Sequence, residues 1–121
     1  MDDAYAARWY AAWNARDLDA ILALYSEEIE FSSPFVSALG FGPMGVVHGH
    51  GMLKVYVEAV LSRVPDLKFE PVALCAGARG HTLIYRTHAG VLVAETHEVD
   101  AGRIVRADTF YETNPAARSQ T

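Results

Sequence analysis

Glu95 and His97 lie two residues apart in the run Val91-Leu-Val-Ala-Glu-Thr-His-Glu-Val99, whose other members are mostly apolar or β-branched. On an extended chain that spacing puts both side chains on one face, because successive side chains alternate. A carboxyl and an imidazole side by side can pass a proton between themselves and a third molecule. Histidine is the side chain whose ordinary titration lies nearest neutrality. A carboxyl drawn out of water is suited to act as a general acid or a neutral donor. The chemistry expected is therefore proton transfer, with Glu95 as acid or oxyanion donor and His97 as its base or proton partner. The plainer reading of the same residues is a buried Glu neutralised by a neighbouring His or Arg, and a core His bonded to a backbone carbonyl.

Other groups invite other chemistry. His48-Gly-His50, with Glu95 and His97, would supply the ligand types that zinc or iron use. No acidic residue follows at short spacing, and His50 falls at a helix start, so no metal is expected. Gly40-Phe-Gly-Pro-Met-Gly45 spells G-x-G-x-x-G. It does not join a strand to a helix in a βαβ unit, and Pro43 suits no such turn, so no dinucleotide is expected. No Gly-Lys-Ser/Thr phosphate loop occurs, and the expected cofactor set is empty. The net charge of −5 argues against a nucleic-acid partner, which needs a basic face. No apolar run approaches the roughly 20 residues that span a bilayer. Met1-Asp-Asp-Ala lacks the basic start of a signal peptide, and Cys75 is the only cysteine, so a cytoplasmic protein is expected.

The elements that must position Glu95 and His97 follow from local pattern. The chain of 121 residues suits one domain, expected over 1–113 with a polar tail over 114–121. Residues 3–15 are Ala-rich with Tyr5, Trp9 and Trp13 at i, i+4 spacing, a helix with one aromatic stripe. Asp17 is a good N-cap for a second short helix carrying Leu18, Ile21, Leu22 and Tyr25. Residues 28–33 alternate as a strand ended by Pro34, and a Gly-rich loop then runs from Phe35 to Gly51. Its Phe35, Phe41 and Met44 read either as a cavity lid or as a plug of the core. Leu53, Tyr56, Val60 and Val64 stripe a third helix, stopped by Pro65. Strands follow over 66–76, with Pro71 marking a bulge or edge, and over 81–87, 91–99 and 103–111.

Two loops of the form x-Ala-Gly, His88-Ala-Gly90 and Asp100-Ala-Gly102, set the pairing as three-residue turns. The first puts His81 opposite His97, Leu83 opposite Glu95 and Tyr85 opposite Val93. The second puts His97 opposite Val105, Glu95 opposite Ala107 and Val93 opposite Thr109. Glu95, His97, Thr109 and Tyr111 then share one face. Ile84, Leu92, Ala94, Ile104 and Phe110 share the other, too apolar for open water and suited to a homodimer. The fold expected is α+β: a cone-shaped, curled antiparallel sheet with three helices packed on its concave face. The pocket enclosed would be lined by Trp9, Trp13, Phe31, Tyr56 and Tyr85, with Thr109 beside them. His81 would sit at its rim.

The element order and several strings resemble the SnoaL-like branch of the nuclear-transport-factor-2-like superfamily, which includes ketosteroid isomerase. The matching text is Ala12-Trp-Asn-Ala-Arg-Asp-Leu-Asp-Ala-Ile-Leu-Ala-Leu-Tyr25, Ile29-Glu-Phe-Ser-Ser-Pro34, the helix start at Gly49 to Tyr56, Pro65-Asp-Leu-Lys-Phe69 and Gly102-Arg-Ile-Val105. The resemblance implies the α+β cone, a homodimer and a hydrophobic small-molecule ligand. It places the isomerase's general-base Asp on Ser33, its oxyanion Tyr on Trp9 and its protonated oxyanion Asp on Glu95. The His and Asp of SnoaL-type cyclases fall on Glu95 and Thr109. Only a carboxyl at 95 persists, so any catalytic set is this chain's own. The readings left are a cofactor-free isomerase, dehydratase or cyclase for a polyketide- or steroid-like molecule, a non-catalytic carrier, and a dimerisation module whose cone is filled by Trp13, Phe41 and Met44.

Overall fold

The computed structural model describes residues 3–113; the tail expected over 114–121 lies outside them. Ten elements follow one another: α1 (Asp3–Asn14), α2 (Leu18–Leu22), β1 (Tyr25–Ser32), α3 (Pro34–Ala38), β2 (Val46–His48), α4 (His50–Arg63), β3 (Glu70–Ala76), β4 (Gly80–Arg86), β5 (Leu92–Asp100) and β6 (Arg103–Tyr111). The six strands form one sheet in the order β2-β1-β6-β5-β4-β3. Every pair is antiparallel except β1 with β6, which run parallel. The fold is α+β, with α1, α2 and α4 on the concave side as expected. Two short elements, α3 and β2, replace part of the loop expected over 35–51. Ser33 caps α3 by accepting from the Phe35 N–H at 3.1 Å, and Pro34 at the first helical position has no N–H to leave unpaired.

The helices close on the sheet because their stripes are apolar and their junctions are pinned. Tyr5, Trp9 and Trp13 are all buried. Asn14, at the end of α1, bonds both to and from the backbone of Phe69, donating to its carbonyl at 2.9 Å and accepting from its N–H at 2.8 Å. Arg16 donates to the Val64 and Leu61 carbonyls, which are terminal acceptors of α4 with no helical partner of their own. The end of α1 and the turn after it are thus a clamp joining α1, the end of α4 and the segment that leads into β3.

Register decides which face Glu95 occupies. The β4–β5 pairing agrees with expectation, with His81 opposite His97, Leu83 opposite Glu95 and Tyr85 opposite Val93. The β5–β6 pairing differs. Ala101 and Gly102 both adopt positive φ, 51° and 78°, making a two-residue turn that pairs Asp100 with Arg103. That turn alone would slide the strands by one residue and reverse every side chain on β6. A bulge between the pairs Val99–Ile104 and Glu98–Arg106 supplies the second residue of slip. Two slips restore parity: Glu95 lies opposite Thr109 rather than Ala107, on the same inward face. The correction falls on Ile104, which precedes the bulge and is buried in the core instead of standing on the outer face. On that outer face Ile84, Leu92 and Ala94 are half-buried and Phe110 is exposed. Arg106 and Asp108 bond each other there at 2.9 Å, and Ser32 donates to Asp108 at 2.6 Å.

Candidate functional site

Four side chains on three elements form one hydrogen-bonded line through the interior. Glu95 and His97 come from β5, Tyr85 from β4 and Tyr5 from α1. The Tyr85 hydroxyl donates to Glu95 Oε1 at 2.7 Å. Glu95 Oε2 lies 2.8 Å from His97 Nε2, and His97 Nδ1 lies 2.6 Å from the Tyr5 hydroxyl. The protonation that satisfies every atom has Tyr5 donating to Nδ1 and the Nε2–H donating to Glu95. Glu95 is 3% exposed and His97 1%. A buried carboxylate survives only when its oxygens are met by donors, and here both are.

The phenols around this line stay protonated. Burial, and next the negative charge of Glu95, hold the Tyr85 hydroxyl well above its ordinary range, so it remains a donor. The same two causes act on Tyr25, whose oxygen accepts from the Trp9 and Trp13 indoles at 3.2 and 3.3 Å. Tyr10 is pushed up to about 12, by burial first and Glu95 second.

Beside Glu95 the cone is not filled. A cavity of about 190 Å³ remains, walled by Trp13, Phe31, Phe35, Tyr56, Val60, Val64, Leu67, Phe69, Tyr85, Val91 and Tyr111. Its polar lining is Glu95, Ser33 and Thr109 within, and Thr87 and His88 toward the rim. His88 stands 3.9 Å from Asp66, across the rim on the α4–β3 connection. Burial holds the Tyr56 and Tyr111 phenols above their ordinary range, with the Ser33 hydroxyl acting in the opposite direction on both.

Six of the residues expected at the site, Glu95, Trp13, Phe31, Tyr56, Tyr85 and Thr109, do line this cavity. Trp9 does not. Its indole packs behind the wall, stacked on Phe69 at 5.6 Å and lying 5.5 Å from both Tyr85 and His97. His97 also stands behind, in contact with Glu95 but not with the space a ligand would occupy. His81 stacks on Tyr5 at 4.3 Å. His48 and His50 go elsewhere: His50 Nε2 bonds the Leu22 carbonyl at 2.8 Å, and His48 lies on the surface near Glu30. Among the described residues no three His, Cys, Asp or Glu side chains converge to hold a metal ion. Met44 is 84% exposed and plugs nothing, while Phe41 packs edge-on against Tyr56.

The residues that strand pattern missed are Tyr5 as the partner of His97, and Phe69 and His88 on the wall; Tyr111, which shares the Glu95 face, lines it too. Tyr5 lies on the aromatic stripe of α1 with Trp9 and Trp13, but its contact with His97 has no local signal in the sequence. Phe69 shares alternation with Leu67, and both line the cavity.

The sequence profile of the SnoaL-like domain matches residues 6–108. Among solved structures, a SnoaL-like protein of unknown function from Burkholderia thailandensis is 34% identical, with 93% of this chain and 98% of that one covered and a TM-score of 0.85. TerC, co-crystallised with polyporic acid, shares the fold at 15% identity and a TM-score of 0.76, over 95% and 94% of the two chains. An NTF2-like protein of unknown function from Burkholderia pseudomallei does so at 18% and 0.75, over 95% and 93%. No protein of curated function matches the chain. A profile match over most of the length and a relative alike over nearly all of it lead to one conclusion: the chain belongs to the SnoaL-like family.

Proposed function

We propose that the protein is a cofactor-independent acid–base enzyme acting on a hydrophobic small molecule, by isomerisation, dehydration or cyclisation. One observation carries this: Glu95 is the single carboxyl among the described residues lining a mostly apolar cavity, and it is backed by an imidazole at 2.8 Å. Because His97 lies behind it, Glu95 is the group that exchanges a proton with the ligand. His97 is its proton partner, held in one tautomer by Tyr5. Tyr85 orients the carboxyl, and Trp13, Phe31 and Tyr56 hold the ligand's rings. A cavity of about 190 Å³ exceeds the ~150 Å³ that accommodates benzene. It falls short of the ~300–1,000 Å³ of pockets for drug-sized ligands. One or two rings fit without movement of the wall; a four-ring steroid does not.

The experiment is a panel of one- and two-ring ketones, alcohols and enols incubated with wild type and with Glu95→Gln. The expected result is conversion by wild type and its loss in the variant with binding retained. Equal conversion by both rejects the role. A second reading, a ligand carrier, is favoured by the same line of hydrogen bonds, since Glu95 and His97 already satisfy each other. It predicts a ligand held for hours and recovered unchanged.

The same proposal includes a cytoplasmic location and a homodimer through the outer sheet face, supported by the lone free cysteine and by Phe110, which is 62% exposed. Sedimentation equilibrium should give a dimer for wild type and a monomer for Phe110→Glu. Among the described residues no helix is long and apolar enough to cross a membrane.

A further inference from the structure

We infer that the mouth of the cavity is a second binding locus, formed by the Thr87 hydroxyl and the His88 imidazole, and that it receives the carboxylate of an elongated acid whose rings lie in the cavity with their far end toward Glu95. This rests on the reading of the cavity as a ligand pocket and names the class of molecule it takes; it does not require Glu95 to be catalytic.

Two independent observations carry it. The first is a hydrogen left over on Thr87. A threonine oxygen has two lone pairs and one hydrogen. Both lone pairs are taken within the β4–β5 turn, by the Ala89 and Val91 N–H groups at 3.3 Å each. The Thr87 N–H donates to the Val91 carbonyl and the Gly90 N–H to the Thr87 carbonyl, both at 2.9 Å, which fixes the turn. Thr87 lines the cavity, yet its hydroxyl hydrogen has no acceptor among the described residues. The second is an imidazole without a hydrogen bond. His88, next on the same turn, also lines the cavity, and its side chain is only 32% exposed. Asp66 stands 3.9 Å from its Nε2, beyond hydrogen-bond reach, and is itself 79% exposed. Such a pair contributes little and is readily given up. An imidazole carries an N–H in either protonation state, so His88 has a hydrogen to give.

Neighbouring donors on a fixed turn suit the two oxygens of a carboxylate, which only accepts. The rim leaves such a charge partly in water. The interior does not: its wall is mostly aromatic and aliphatic, and Glu95 would repel a second carboxylate there. An acid therefore enters ring first. The strands set its length. Thr87 bonds Val91, which lies four residues before Glu95 on the same inward-facing run. Four residues of extended chain span roughly 13 Å. Less a contact distance at each end, that is the length of two rings in line, and a cavity of about 190 Å³ has room for them.

The test is the quenching of tryptophan fluorescence by biphenyl-4-carboxylate and by 4-methylbiphenyl, which has the same rings and no charge. Wild type should bind the acid about tenfold more tightly than the hydrocarbon. His88→Ala and Thr87→Val should each lower that ratio several-fold, with 4-methylbiphenyl affinity unchanged as the control for folding. Where Thr87→Val loses the hydrocarbon as well, by loosening the turn, His88→Ala decides. Asp66→Asn should raise the ratio, because it removes a carboxylate that competes for His88. Opposite signs at 66 and 88 separate a ligand site from a structural ion pair, whose loss from either side would act in one direction. Glu95→Gln should leave the ratio within about twofold of wild type; a large rise would put the acid's charge at the inner end. That result, a wild-type ratio near one, equal signs at 66 and 88, or failure of both probes to bind overturns the inference. Proton exchange by Glu95 is measured separately: its absence leaves the mouth locus standing, and loss of the ratio leaves the role of Glu95 standing.

Discussion

The cavity has two polar regions, and they are finished to different degrees. Along the line Tyr5–His97–Glu95–Tyr85 both carboxylate oxygens and both imidazole nitrogens have a partner, with every link between 2.6 and 2.8 Å. Beside it, directly across from Glu95 on β6, the buried Thr109 hydroxyl has no partner among the described residues. A satisfied buried network holds its members in one geometry, while an incomplete one costs stability until something binds. The difference separates a carboxyl held in one geometry from a hydroxyl left without a partner among the described residues.

The comparison breaks most severely at His97. His97→Leu keeps the volume but leaves the Glu95 carboxylate and the Tyr5 hydroxyl facing hydrocarbon. It should destabilise by about 3–5 kcal/mol in urea unfolding. Next in size is the response to alkali. Folded-state values for Tyr10, Tyr25, Tyr56, Tyr85 and Tyr111 lie above the unfolded phenol value of 10.0, chiefly through burial. Below pH 10 both states hold these protons and stability does not depend on them. Above it the unfolded chain loses protons that the folded chain keeps, so stability falls as pH rises. The urea midpoint should drop between pH 9 and pH 11; an unchanged midpoint would mean the phenols are not sequestered. Tyr85→Phe removes one donor to Glu95 and should cost about 1–3 kcal/mol. Thr109→Val removes a buried hydroxyl with no partner among the described residues and should leave stability unchanged or raise it by up to about 1 kcal/mol. A large loss for Thr109→Val, or none for Tyr85→Phe, would erase the distinction between the two regions.

Much of this was legible from periodicity. The i, i+4 aromatics of α1, the alternation in β5 and the x-Ala-Gly form of the β4–β5 turn placed Glu95 and Tyr85 on one inward face. The β5–β6 turn was not legible, because Ala101 at φ 51° is an unfavourable choice that the bulge at Val105 compensates. Two slips of one residue cancel in facing but not in pairing. Glu95 therefore kept its face while its cross-strand neighbour changed from Ala107 to Thr109. Trp9 shows a different limit: period 3.6 says which side of a helix is buried, not whether a ring reaches the cavity or stops behind Phe69 and Tyr85. Tyr5 as a partner for His97 joins residues 92 positions apart, and no local pattern encodes that contact.

The central claim is that Glu95 exchanges protons with whatever occupies the cavity. It is tested most directly by following deuterium uptake at the α-carbon of 2-tetralone by proton NMR, with wild type and Glu95→Gln at equal saturation. Uptake well above the buffer rate in wild type, lowered about 10²–10⁴-fold in the variant, is the predicted result. Uptake at the buffer rate in wild type, or at the same accelerated rate in both proteins, would contradict it.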